Sequence, residues 1–348
     1  MRKVHLLFIY AFLLVFYKEA DAQDLHYSQH VYNPLYYNPA LTGYINSKAR
    51  MNLSYSDRYR QAYGSNGMRT MYGSGDMSIP LGGPNQNSFL GVGVNFYNHK
   101  VGENSIMDNV ASAFVSYRMM LDKDKKHAFS AGFNFTYWNR KYGYSDLQFG
   151  NQYDGIYYNP SINSGEQGAI AFRNRIDAGL GVLYAYDSRS KFRGYAGASV
   201  FHLVPDADNV ISLGQGLRYN VHTGVEYDIA DLTLTPSVML DIQGQAMELY
   251  TGMLASYHII NKKDEKVSVF AGPYLRLHKS PVGGFSMYTI NVFGGIQFYD
   301  FQLFVAADNT INSSKNALGG FNGFEVGMTY NFGDLNVGGK RIYCPVFR

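Results

Sequence analysis

The sequence predicts an all-β chain: a transmembrane, antiparallel, up-and-down β-barrel of about fourteen strands, of the bacterial outer-membrane type. Three observations lead there. From Lys48 onward apolar and polar residues alternate with period 2 in segment after segment, and no helical period competes with them. The polar face of that alternation is small and weakly charged, whereas the wet face of a soluble sheet is usually rich in Lys and Glu. Finally, the connections fall into two alternating sets, one short and polar, the other including every long loop, as in barrels with short periplasmic turns and longer outer loops.

The chain opens with an export signal. Arg2 and Lys3 form a basic start, residues 4–16 are an apolar run too short to span and stop, and Ala20-Asp21-Ala22 fits the small-x-small cleavage rule. Cleavage is therefore expected after Ala22, which makes 1–22 the signal peptide and Gln23 the mature start. Residues 23–47 read as a periplasmic or luminal N-terminal segment, 48–333 as the barrel and 334–348 as a periplasmic tail, with both termini on the periplasmic side. The 31 Tyr, 23 Phe and 37 Gly favour strands with tight bends, and the mean hydropathy of −0.22 suits a barrel, whose lumen and loops are polar. A formal charge of +3 gives no footprint for nucleic acid, and the one cysteine, Cys344, can form no internal disulfide.

Strands are expected near 48–59, 68–79, 88–97, 106–121, 127–138, 174–187, 192–203, 217–229, 232–243, 246–259, 266–278, 285–299, 301–308 and 322–333. In 219–227 one face carries Tyr219, Val221, Thr223, Val225 and Tyr227, and the other Asn220, His222, Gly224 and Glu226. In 176–186 the apolar face runs Ile176, Ala178, Leu180, Val182, Tyr184 and Tyr186. The opposite face carries Gly179 and Gly181, which leave room inside a closed lumen. Aromatics at strand ends fit girdles at the two membrane interfaces. Pro236 lies inside the ninth strand, where it removes a ladder donor and predicts a bulge or a break.

Residues 23–46 carry the most distinctive pattern. Asn33-Pro34 and Asn38-Pro39-Ala40, followed by Gly43, read as successive turns, because Pro pushes the preceding residue to extended geometry and Asn can bond its own backbone. A segment without strand partners must satisfy its backbone somewhere, and the lumen wall is nearest. Gln29, Asn33, Pro34, Asn38, Pro39, Ala40 and Gly43 are therefore the candidates for a luminal plug or a partner-docking element. A second candidate surface is the long connection 142–163, whose Tyr144, Phe149, Tyr153, Tyr157 and Tyr158 suit a partner surface on the outer side or a fold back into the lumen.

The stretch Gln23 through Gly43, with Tyr27-Ser28-Gln29 and both Asn-Pro pairs, resembles the opening of the PorP/SprF family, outer-membrane proteins of type IX secretion and gliding machinery. Arg58 to Gln61, Phe201-His202-Leu203 before Pro205, and Cys344-Pro345-Val346-Phe347 are similar to further elements of that family. The resemblance implies a non-enzymatic role: anchoring or displaying secreted cargo, with the cargo or its C-terminal domain as a partner, and linking it to periplasmic subunits and a peptidoglycan-binding protein. The competing reading is a porin or small-molecule transporter.

Other chemistry finds little support. His26 and His30 stand four apart, but Pro34 argues against a helix there and no further ligand stands at metal spacing, so neither metal nor cofactor is expected. Asp241 and Glu248 could pass for an acid pair, yet such residues are more often lumen or rim charges. Lys123, Lys125 and Lys126 read as a solvated turn. No Ser/His/Asp order or phosphate loop points to an enzyme.

Overall fold

A computed structural model describes residues 27, 30–64, 67–82, 87–102, 106–143, 149–163, 165, 170–205, 216–261, 266–279, 285–312, 315–318 and 320–334. Fourteen antiparallel strands close on themselves: β1 (Ser47–Arg58), β2 (Met68–Leu81), β3 (Ser88–Val101), β4 (Ile106–Met120), β5 (His127–Gly143), β6 (Ile170–Asp187), β7 (Phe192–Phe201), β8 (Arg218–Ile229), β9 (Leu232–Gln243), β10 (Ala246–Asn261), β11 (Lys266–Lys279), β12 (Phe285–Phe298), β13 (Phe301–Thr310) and β14 (Phe321–Asp334). Each strand pairs with its sequence neighbours, and β1 closes the ring on β14, from Ser47 opposite Asp334 to Arg58 opposite Gly323. A closed ladder leaves no edge, the condition for a sheet to stand in hydrocarbon. Both ends of the barrel chain thus lie at one rim, with the short connections. We call this rim the turn end and the other the loop end.

The predicted faces hold. On β8, Val221 is 52% exposed while Asn220 and His222 are buried, and the same inversion runs round the ring. Outward residues such as Met71, Val94, Val115, Phe133, Leu180 and Val305 form an apolar belt, and the buried wall residues are largely Ser, Thr, Asn, Asp and Arg. This is a soluble protein turned inside out, as a lipid-facing wall requires. Near the turn end Tyr117, Phe129, Tyr184, Phe192, Tyr227 and Phe298 point outward as a girdle.

Pro236 acts where its missing N–H predicts. The β8–β9 ladder pairs Gly224 with Ser237, lapses opposite Pro236 and resumes at Tyr227 with Leu234, while β10 still pairs Met253 with Pro236. Strand β9 itself is not broken. At the loop end the wall is extended by β5 and β6, which stay paired out to Gly143 and Ile170, whereas β7 joins β6 only from Leu180.

Putting a charge on the belt should cost far more than trimming the lumen. Val115→Lys, between Val92 and Phe133, is expected to destabilise the folded barrel by ~2–4 kcal/mol if it sits near the bilayer midplane. Ser112→Ala on the same strand loses one hydrogen bond from Thr136 and should cost about 1 kcal/mol. Denaturant titration of both variants refolded in lipid vesicles checks the contrast; equal losses would mean the faces are reversed.

Candidate functional site in the lumen and at the loop-end tip

Every residue from His30 to Ile45 is buried, inside the ring rather than beneath it. The segment folds as three short turns: a 3-10 turn at His30–Tyr32, a helical turn at Pro34–Tyr37 and a second 3-10 turn at Pro39–Leu41. Both prolines stand at the first helical position, where a missing N–H costs nothing, and both asparagines precede them in non-helical geometry. The Asn38 side-chain oxygen accepts from the Ala40 N–H at 2.8 Å, closing the cap. The two Asn-Pro pairs are thus helix starts in series, which let sixteen residues coil within a narrow lumen.

The wall then satisfies what the turns leave open. Serine hydroxyls on β4, β5 and β7 each donate to a carbonyl of the segment: Ser116 to Thr42 O at 2.6 Å, Ser130 to Ala40 O at 2.8 Å and Ser199 to Tyr37 O at 2.5 Å. Asn38 Nδ2 donates to Val182 O and reaches His222 Nε2, both at 3.0 Å. Asn33 Nδ2 donates to Glu325 Oε1 at 3.2 Å, and its oxygen accepts from Ser54 Oγ at 3.3 Å. A buried amide without such partners would cost about 1–3 kcal/mol, so these contacts set where the segment can rest.

Glycines on the wall make the space. A Cβ at Gly132 would lie 2.4 Å from the carbonyl carbon of Pro39, one at Gly91 2.2 Å from Thr42 O, and one at Gly181 2.0 Å from Asn38 Oδ1. The segment leaves the lumen at Gly43, whose φ of +63° favours glycine. Its N–H donates to Asp76 Oδ2 at 2.8 Å, and Arg50 grips the same carboxylate through Nε at 3.0 Å and Nη2 at 2.9 Å. Both charged side chains are fully buried, so removing either partner alone should be strongly destabilising.

Aromatic rings and guanidinium groups pack the segment against the wall. Tyr32 stacks on Phe304 with centroids 4.1 Å apart, the Arg218 guanidinium lies 4.4 Å over Tyr36, and Arg118 lies between Tyr44 and Phe89 at 4.6 and 4.4 Å. Beside Tyr32, among Glu226, Thr235, Ser256 and Gln302, remains a cavity of about 20 Å³, room for a water molecule and little more. His30 sits among the rings of Tyr37, Tyr250 and Tyr274. Asp241 and Glu248 face each other across β9 and β10, but Asp241 is held by Arg218 at 2.7 Å and Glu248 accepts from Tyr250.

The second candidate lies beyond the rim. Residues 149–163 form a self-bonded tip above β5 and β6. Tyr153 and Tyr158 bridge as an isolated β-pair with rings 5.7 Å apart, and Gln152 Nε2 donates to Ile162 O at 3.2 Å. Asp154 Oδ1 accepts from Ile156 N and Tyr157 N at 2.9 and 2.8 Å. The Tyr157 and Ile156 N–H groups hold the Asp154 carboxyl below the usual carboxylate range. At the apex Ile156 is 78% and Tyr157 73% exposed, and Asp154 is the one charged residue in 149–163.

The PorP/SprF family, described as type IX secretion system membrane protein PorP/SprF, matches residues 19–331. The chain belongs to that family. None of the curated proteins matches it. Among solved structures, a Pseudomonas aeruginosa FadL homologue is similar at 10% identity and a TM-score of 0.50, covering 87% of this chain and 94% of that one. A Salmonella typhi OmpF bound to daunomycin aligns at 12% identity and a TM-score of 0.40, over 82% of this chain and 97% of its own. The FadL-like structure shares an outer-membrane barrel fold, and at these identities that is all the likeness carries. The protein is thus a type IX secretion membrane protein built as an outer-membrane barrel.

Of the residues singled out in the sequence, Asn33, Pro34, Asn38, Pro39, Ala40 and Gly43 come together in the lumen, fully or nearly fully buried. Phe149, Tyr153, Tyr157 and Tyr158 come together in the tip, while Gln29 and Tyr144 lie outside the described residues. The partners on the wall went unread: Asp76, Arg50, Glu325, His222 and the three serines. The glycines on the polar face were the available signal, since they announce a close neighbour without saying which.

Two outcomes follow. Gly132→Val should leave a heat-modifiable barrel but push residues 39–40 off the wall, read as loss of protease protection of the N-terminal segment. For the tip, a depressed carboxyl stabilises its fold above the ordinary carboxylate pKa and stops doing so as pH falls through the lowered value. Amide exchange at Ile156 and Tyr157 should therefore quicken, beyond the intrinsic pH effect, only at acid pH, and Asp154→Ala should quicken it at neutral pH.

Proposed function

We propose that this family member is a closed outer-membrane anchor of a type IX machine, not a conduit. In this reading the luminal segment is a fixed plug, the loop end faces the outside and holds secreted cargo, and the turn end faces the periplasm and couples to motor subunits and a peptidoglycan-binding partner. The supporting observation is the lumen itself: sixteen consecutive buried residues, His30 to Ile45, fill it and are bonded to the wall on several sides. A porin of this strand number would need that space open.

Burial also bears on where partners bind. With Asn33 and Asn38 at 0% exposure, the Asn-Pro pairs offer nothing to a partner while the plug is seated. Among the described residues, the turns below and the tip above remain as contact surfaces. The tip has the composition of a recognition loop: three Tyr, three Asn, small residues for tight turns and one charge, set in place before any partner arrives. Ile156 and Tyr157 are then its anchors for cargo, beside the single carboxylate of Asp154.

The reading is tested by two measurements on one preparation. In planar bilayers the purified barrel should be silent, and replacing both Asn-Pro pairs by Ala-Ala should open a pore while retaining the proteins that co-purify from the turn side. The double change Ile156→Ala with Tyr157→Ala should keep the bilayer silent yet lose surface-held cargo, by about tenfold or more if both are hot spots. Steady conductance by the unmodified protein would overturn the closed anchor in favour of the porin.

A further inference from the structure

On the outer face of β3 to β6, toward the loop end, the lipid-facing wall changes character in three steps. The lowest row is apolar: Phe96, Ala111, Tyr137 and Ile176 are cross-strand neighbours, and Phe96, Tyr137 and Ile176 are exposed. Two residues higher on each strand the row reads Asn98, Asn109, Asn139 and Asn174, again neighbours in register. Asn98 Nδ2 donates to Asn109 Oδ1 at 2.7 Å, Asn139 Nδ2 to Asn174 Oδ1 at 2.7 Å, and Tyr137 Oη to the same oxygen at 2.9 Å. Asn109 Nδ2 and Asn139 Oδ1 keep their bonding capacity among the described residues. Two residues higher again stand Lys100 and Lys141, with Met107 between them in register. Neither lysine has an ion-pair or hydrogen-bond partner among the described residues. Arg69 adjoins Lys100 but lies opposite Asp57, so we count only the two lysines as unanswered charge.

Depth gives this order a meaning. The four asparagines stand ten to thirteen residues above the turn-end limits of their strands, and Lys100 and Lys141 twelve and fourteen. At roughly 3.3 Å per residue and a tilt of about 40°, the amides lie some 25–33 Å above the turn end and the lysines some 30–35 Å. An apolar belt is about 25 Å tall, so the amides mark its upper border and the lysines stand at the level of lipid headgroups. At matching heights on β8 to β11 the outward residues Tyr219, Ile242, Leu249 and Leu277 are apolar, so the amide row is a feature of one flank and not of the whole rim.

We propose that this flank is a binding site for the phosphorylated headgroup of an outer-leaflet glycolipid. Lys100 and Lys141 are two strand spacings apart, roughly 10 Å between backbones, close enough for both long side chains to meet one phosphate group. The amide row below suits the hydroxyl, ester and amide groups that join a sugar headgroup to its acyl chains. Such a lipid is held to one side of the barrel, beneath the tip that rises from β5 and β6. The word outer rests on the orientation proposed above; the charge and amide pattern does not.

Binding of diphosphoryl lipid A to the full-length protein, folded in a neutral detergent, tests the site. The wild-type protein should bind it saturably, and should bind the same lipid stripped of phosphate far more weakly. Lys100→Gln and Lys141→Gln should each weaken binding about fivefold and together roughly thirtyfold. Lys123→Gln with Lys126→Gln, which removes the same charge at the turn end, should bind as wild type does. Heat-modifiable mobility confirms that each variant is folded. Equal affinity of the Lys100/Lys141 double variant and the wild type, or equal affinity for the stripped lipid, overturns the proposal. A loss as large in the turn-end variant reduces the effect to net charge and overturns it as well. Orientation is read separately, with a membrane-impermeant maleimide on Ile156→Cys in a Cys344→Ser background. Labelling in intact cells supports the outer leaflet. Labelling only after permeabilisation overturns that assignment, and an unchanged lysine dependence in detergent would then show that the orientation failed and the phosphate site did not.

Discussion

A peptide group that cannot reach water must be hydrogen-bonded within the protein, and this molecule meets that demand twice. The wall meets it by closure: β1 pairs with β14 over its length, so the sheet has no unpaired first or last strand. The luminal segment meets it with no strand partner at all. Its turns use some of its own carbonyls, and Ser116, Ser130 and Ser199 take others. Break the wall and nothing holds the segment; remove the segment and those wall groups lose their partners.

The packing follows from the same demand. Backbone-to-wall hydrogen bonds need the two chains within about 3 Å, and side chains would hold them apart. Gly91, Gly132 and Gly181 stand where that approach occurs, each with segment atoms where a Cβ would be. On the other side of the segment the wall is lined by Thr, Ser, Gln and by Phe270 and Phe304, and contact there is through side chains, above all the Tyr32 stack. The segment is thus seated by backbone on one flank and by rings on the other. Such a double seat restricts sliding, because a shift that keeps the rings stacked misaligns the serines.

Charge is handled by pairing. The lumen holds Arg50 with Asp76, Arg218 with Asp241 and Arg58 with Asp308, all buried. Pairs of this kind add little net stability, but each is costly to break, so they fix arrangement more than they add strength. The Arg50–Asp76 pair shows the use: it aims one carboxylate oxygen at the Gly43 N–H, at the point where the segment becomes strand β1.

Period and face could be read from the chain because they are local. A residue's side of a strand is decided by its parity, so the alternation of Asn220, His222, Gly224 and Glu226 with Tyr219, Val221 and Val225 assigned wall faces, strand count and barrel class without any contact being known. The turn-forming character of Asn33-Pro34 and Asn38-Pro39 was legible for the same reason, since Pro and Asn act on their own backbone. What the sequence could not determine was which groups meet across the lumen. Asn33 and Glu325 are 292 residues apart, and Asn38 and His222 are 184 apart, in positions chosen by closure and stagger rather than by any neighbour in the chain.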